Sequence, residues 1–138
     1  VNKAKEAGYI MSCMVILGLG GKKYSKDHIK GTAEVISACS PNYVGALTLY
    51  LENGIKQEFI DKYEGEFVKI NDDEGLEELY ELVNQINTKE EIVFRVNHGS
   101  NAYTVKGTFP QDKQEMLEKV EWMKDHPEIV RPQGIRGF

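Results

Sequence analysis

The stretch Tyr9-Ile10-Met11-Ser12-Cys13-Met14-Val15-Ile16-Leu17, followed at once by Gly18-Leu19-Gly20-Gly21, carries most of the information about architecture. A nearly unbroken apolar run of this length, closed by glycines, predicts a strand buried on both faces, as in a parallel sheet. Working outward, Ser25 predicts an N-cap for a helix over residues 26–40, with Ile29, Ala33 and Ile36 as its apolar stripe and Pro41 as its stop. The strand signal returns at residues 43–51. Glu52-Asn53-Gly54 turns the chain, and residues 55–66 read as a short helix and an acidic loop. Asp72 or Asp73 can cap a helix reaching about Ile86, with Leu76, Leu79, Leu82, Val83 and Ile86 inward. A third strand covers residues 92–96, and the polar run Asn97-His98-Gly99-Ser100-Asn101 follows it. The last helix starts near Pro110-Gln111-Asp112, turns Met116, Leu117, Val120 and Met123 inward and is ended by His126-Pro127; residues 127–138 form an irregular tail.

The order αβαβαβα predicts a single α/β domain over residues 1–138: βα repeats with a parallel sheet of about three strands and right-handed crossovers. Three such strands cannot close a barrel of eight, and they leave two long edges that need covering. Residues 1–8 read as the tail of a helix closed by Gly8, with no capping signal at its start. Both features predict a fragment of a partial βα barrel. A processed N-terminus with a short, frayed first helix is the alternative.

Composition narrows the function classes. Hydrophobic residues make up 41% and charged residues 28% of the 138, the balance of a globular chain rather than a disordered one. Seventeen basic against 22 acidic residues give a net charge of -5, which argues against binding to a nucleic acid backbone. No apolar run approaches the roughly 20 residues of a membrane helix, and no signal peptide is expected at the start. With only two cysteines there is no disulfide framework, so a reducing, cytoplasmic setting is expected. Cys13 and Cys39 have no metal-ligand spacing, His28 and His126 do not complete a set, and the thiols are expected to be buried and structural. Glu64, Glu66, Asp72, Asp73 and Glu74 are expected to be solvated surface, and Trp122 to pack with Met116 and Met123.

Ligands of α/β sheets bind at the carboxyl ends of the strands, where three segments fall: residues 18–23, 50–53 and 97–101. The glycine loop lacks both the dinucleotide and the Walker spacing. It reads equally as a tight turn or as a cradle of backbone N–H groups for an anion or nucleoside. The Asn97–Asn101 run is either a turn or a site built around a titratable imidazole.

Several segments together resemble a known family: Ala7-Gly8-Tyr9 with Val15-Ile16-Leu17-Gly18-Leu19-Gly20-Gly21, Gly45-Ala46-Leu47-Thr48-Leu49, and Arg95-Val96-Asn97-His98-Gly99-Ser100-Asn101. Lys106-Gly107-Thr108-Phe109-Pro110-Gln111-Asp112, Arg131-Pro132 and Arg136-Gly137-Phe138 extend the pattern. Their order resembles the C-terminal half of radical S-adenosylmethionine enzymes of the iron-sulfur oxidoreductase type. The resemblance implies a partial βα barrel in which a C-x-x-x-C-x-x-C loop holds a 4Fe-4S cluster. That cluster cleaves S-adenosylmethionine to a 5′-deoxyadenosyl radical. This sequence contains no such loop, which would lie upstream of Val1.

The family's fifth-strand pattern, G-x-I-x-G-x-x-E, is met at Ile16 and Gly18, while Met14 and Gly21 replace its first Gly and its Glu. The resemblance places Ile16, Gly18, Gly45, Ala46 and Leu47 along the adenine of the cofactor. It places Asn97, His98 and Asn101 at the barrel mouth, on substrate or the cofactor's sugar. Three hypotheses follow. The first is a fragment of a radical S-adenosylmethionine enzyme, inactive alone, holding neither cluster nor metal, whose partner is the N-terminal half of the same protein. The second is a self-contained α/β module binding an anion or nucleotide at the glycine loop. The third is an interaction or assembly domain, with a sheet edge or the tail pairing to another chain, as in a homo-oligomer through open sheet edges.

Overall fold

A computed structural model describes residues 1–136, apart from the side chain of Gln133; Gly137 and Phe138 lie outside the described residues. The element order is α1 (Asn2–Glu6), β1 (Ser12–Leu17), α2 (Gly21–Cys39), β2 (Tyr43–Thr48), α3 (Asn53–Lys62), α4 (Asp72–Gln85), β3 (Ile92–Val96), β4 (Val105–Phe109) and α5 (Lys113–Lys124). Two short 3₁₀ turns, Pro127–Ile129 and Gln133–Ile135, lie in the tail. None of the described helices is long and apolar enough to cross a membrane.

The strands form one open sheet in the order β1-β2-β3-β4. β1 pairs with β2 and β2 with β3 in parallel, through Val15↔Ala46 and Val44↔Phe94, while β3 pairs with β4 antiparallel through Phe94↔Gly107. The α/β class with parallel crossovers thus holds, but the sheet is mixed and has four strands rather than about three. The strand at Val105–Phe109 escaped the sequence reading. At five residues it is short, and its Lys106, Gly107 and Thr108 dilute the apolar signal. Its antiparallel pairing needs only a local return of the chain and no crossover helix.

The first strand is also not buried on both faces. Val15 and Leu17 are buried, whereas Met14 is 63% and Ile16 39% exposed. The same alternation runs through β2 and β3, where Val44 and Ala46, and Ile92, Phe94 and Val96, all look inward. These side chains meet Ile29, Ala33 and Ile36 of α2, Leu76, Leu79, Leu82 and Val83 of α4, and Met116, Leu117, Val120 and Met123 of α5 in one core. The predicted helix stripes are therefore correct, and they cover a single face of the sheet. The opposite face presents Met14, Ile16 and Tyr43 outward.

Local details follow from hydrogen bonding. α2 begins at Gly21 rather than after Ser25, although Tyr24 (φ -111°, ψ 15°) breaks its regularity just before Ser25. The Ser25 hydroxyl does not cap; it donates to Glu78 at 2.6 Å. α4 is capped by Asn71, one residue before the expected aspartates, in a reciprocal box. The Glu74 N–H donates to Asn71 Oδ1 and the Asn71 N–H to Glu74 Oε2, each at 2.8 Å. Of the acids expected to be free surface, Asp72 pairs with Arg136 and Glu74 with Lys22. Trp122 is half exposed and stacks on His126, its ring 4.0 Å away, instead of joining the methionines in the core. Cys13 and Cys39 are free thiols and only partly buried.

Candidate functional site

The carboxyl ends of β1 and β2 and the 97–101 turn come together. β1 leaves the sheet at Gly18, whose φ of +83° suits glycine and whose N–H donates to Glu78 Oε2 at 2.6 Å. Glu78 is 3% exposed, and its other oxygen accepts the Ser25 hydroxyl, so one buried carboxylate ties the glycine loop to α2 and α4. The Gly21 N–H donates to Gly18 O and the Lys22 N–H to Val68 O. The loop amides at Gly18, Gly21 and Lys22 are thus committed within the protein, which favours the tight-turn reading over an anion cradle. Aromatic rings of Tyr63 and Phe67 pack over Gly21, where a Cβ would lie 3.0 Å from the Phe67 ring.

The 97–101 turn is held from both sides. Asn101, fully buried, donates from Nδ2 to Ala46 O at 2.9 Å and accepts the Thr48 hydroxyl at 3.0 Å. The Ser100 hydroxyl accepts the Thr48 N–H at 3.3 Å and lies 2.9 Å from His98 Nδ1. Nδ1 also accepts the Ser100 N–H at 3.1 Å, which puts the proton of a neutral ring on Nε2. Arg131 grips the turn from the tail: its guanidinium donates to Asn101 O at 2.8 Å and to His98 O at 3.0 Å. A partner for His98, which the sequence did not indicate, is therefore Ser100.

A cavity of about 220 Å³ opens on this surface, lined by Ile16, Leu47, Leu49, Tyr50, His98 and Ser100, with Thr48 at its floor. Of the residues the resemblance singled out, Ile16, Leu47 and His98 meet here. Gly45 lies on the same sheet face, beside Ile16's neighbour Met14, whose Sδ would be 3.1 Å from an added Cβ. Ala46 turns its methyl into the helix-side core and offers only its carbonyl, to Asn101. Gly18 faces Ile70 and Leu49 behind the cavity. Asn101 acts by holding β2 to the turn, and Asn97 is exposed and does not line the cavity. Arg131 and Thr48 are the site-building residues the sequence reading missed.

The donor set does not fit a 4Fe-4S cluster: among the described residues no three His, Cys, Asp or Glu side chains are grouped to hold a metal. Burial, and then the neighbouring Cys39, push the Cys13 thiol up, away from the thiolate a metal needs. The cavity walls at Ile16, Leu47 and Leu49 are apolar, and His98 supplies a polar rim. No protein-family model matches the chain, and neither a curated protein nor a solved structure is significantly similar to it.

Proposed function

We propose that the chain is the adenine-side portion of a radical S-adenosylmethionine barrel, with helices outside and the bare sheet face turned to the barrel interior. One observation carries the reading: a sheet face that presents Met14, Ile16 and Tyr43 with no covering helix among the described residues ends, at the carboxyl side of parallel strands, in a cavity with an imidazole at its rim. In this reading Ile16 and Leu47 hold the adenine, and Gly45 lets the ligand or Met14 approach the β2 backbone. His98 presents its Nε2–H to a hydroxyl or carboxylate at the barrel mouth. S-adenosylmethionine on an iron-sulfur cluster supplies radical chemistry in such proteins. The residues here contribute binding surface only, and the chain by itself is inactive. The remaining partner is the cluster-bearing part of the same protein, and the setting is cytoplasmic. The antiparallel β4, which caps one end of the parallel set, favours a second reading: a self-contained α/β module binding a nucleotide-like ligand in the same cavity.

The test is to express the complete reading frame anaerobically. The expected product carries a three-cysteine loop upstream of β1, binds iron and sulfide, and forms 5′-deoxyadenosine from S-adenosylmethionine. Ile16→Asp should weaken S-adenosylmethionine binding by at least about tenfold, through loss of apolar contact, with cluster content unchanged. A reading frame without the cysteine loop overturns the proposal. Saturable nucleotide binding by such a frame then supports the module.

A further inference from the structure

On the helix side of Thr48, opposite the cavity just described, lies a second one of about 260 Å³ between the end of β1, the first turn of α4 and the tail. The geometry points to a binding site here for a small oxyanion, a carboxylate or phosphate group, held by Tyr103, Lys69 and the amino end of α4. Tyr103 is 4% exposed and lines the cavity, yet its hydroxyl has no hydrogen-bond partner among the described residues. Among the described residues no buried side-chain oxygen or nitrogen is left unsatisfied, so this hydroxyl is one that keeps contact with the cavity space. A buried hydroxyl held toward an open space in this way is aimed at a ligand or a water. Gly75 makes room for it: a Cβ there would sit 2.7 Å from the Tyr103 oxygen.

The sign of the ligand follows from which groups are already committed. Asp72 gives both oxygens to the Arg136 guanidinium, at 2.9 and 2.7 Å. Glu74 is taken by Lys22 and by the Asn71 N–H, and Glu78 by Gly18 and Ser25. The capping box satisfies the Asn71 and Glu74 amides, which leaves the first-turn N–H groups of Asp72 and Asp73 without an acceptor among the described residues. Lys69, exposed on the rim, makes no ion pair among the described residues. Apart from the exposed Asp73 carboxylate, which does not line the cavity, the uncommitted groups are thus an ammonium, a phenol and two helix amides. All are donors, and their complement is an acceptor with negative charge. The phenol stays protonated, because burial and the nearby Asp72 and Glu78 push its ionisation well above the usual tyrosine range.

The site is separate from the adenine reading, and either can fail alone. The test is to titrate the isotope-labelled chain with sodium succinate and, separately, with inorganic phosphate at constant ionic strength. Saturable amide shifts at Ile70, Asp72, Asp73 and Gly75 are expected. Succinate alone identifies a carboxylate, phosphate alone a phosphate group, and both a general oxyanion site. Tyr103→Phe, which keeps the ring, should weaken binding by about tenfold, and the rim variant Lys69→Gln by several-fold. Shifts that grow linearly and match those from chloride overturn the site. So does saturable binding that neither variant weakens.

Discussion

Tyr103 and Gly75 show how one residue's identity can depend on another 28 positions away, with a hydroxyl sitting where a methyl would otherwise be. Glycine inside a helix costs about 1 kcal/mol relative to alanine, so Gly75 is unfavourable for α4 taken by itself. With the Tyr103 ring locked in the core, Gly75→Ala forces the hydroxyl against the new methyl and should lower the unfolding midpoint. In a Tyr103→Phe background the collision is gone, and the same substitution should raise stability by up to about 1 kcal/mol. A double-mutant cycle by urea denaturation checks the change of sign; the same sign in both backgrounds would refute the packing argument. Neither residue's role could be seen in sequence, since no local spacing links a helix glycine to a tyrosine in the connection after β3. His98 was visible as a titratable group in a polar run, but its pairing with Ser100 became apparent only from the turn's geometry.

Among the elements, α4 ties the molecule together, touching α2, α5 and β1 and carrying Glu78 to the glycine loop. Its hydrophobic spacing was plain in the sequence, as were the bounds of β3, because strong periodicity survives any tertiary context. Its cap was misplaced by one residue: in Asn71-Asp72-Asp73-Glu74 three consecutive residue types can all cap, and only Asn71 has the glutamate three positions on. Asn71→Ala should cost about 1 kcal/mol, read as a lowered urea midpoint with an unchanged slope. The Glu74 half of the box adds a pH dependence. Its hydrogen bond with Lys22, and then the Asn71 N–H, hold its carboxyl below the usual range. Its contribution is therefore full above the unfolded value of about 4.3 and is lost as pH falls through the lower folded value. The wild-type midpoint should drop more steeply than that of Glu74→Gln between about pH 5 and pH 3. Parallel pH profiles would show that the box does not depend on the carboxylate.

At the scale of the whole molecule, three helices cover one face of the sheet and leave Met14, Ile16 and Tyr43 on the other. Such a face favours association, so the chain expressed as these 138 residues should self-associate with rising concentration. Met14→Lys should weaken that association at least about tenfold while leaving the melting temperature unchanged, since the side chain is exposed in the monomer. Sedimentation equilibrium decides, and a monomer at every concentration removes the argument. The sequence by itself determined the kinds of the elements other than β4, the helix stripes that face the core and the parallel crossovers, because these rest on periodicities within one segment. Only the tertiary structure decided that the sheet is bare on one side, that β4 joins it antiparallel, and that Thr48, Asn101 and Arg131 lock the strand ends to the 97–101 turn. Those outcomes depend on hydrogen bonds and contacts between residues far apart in the chain, and such pairings leave no spacing for a linear reading to detect.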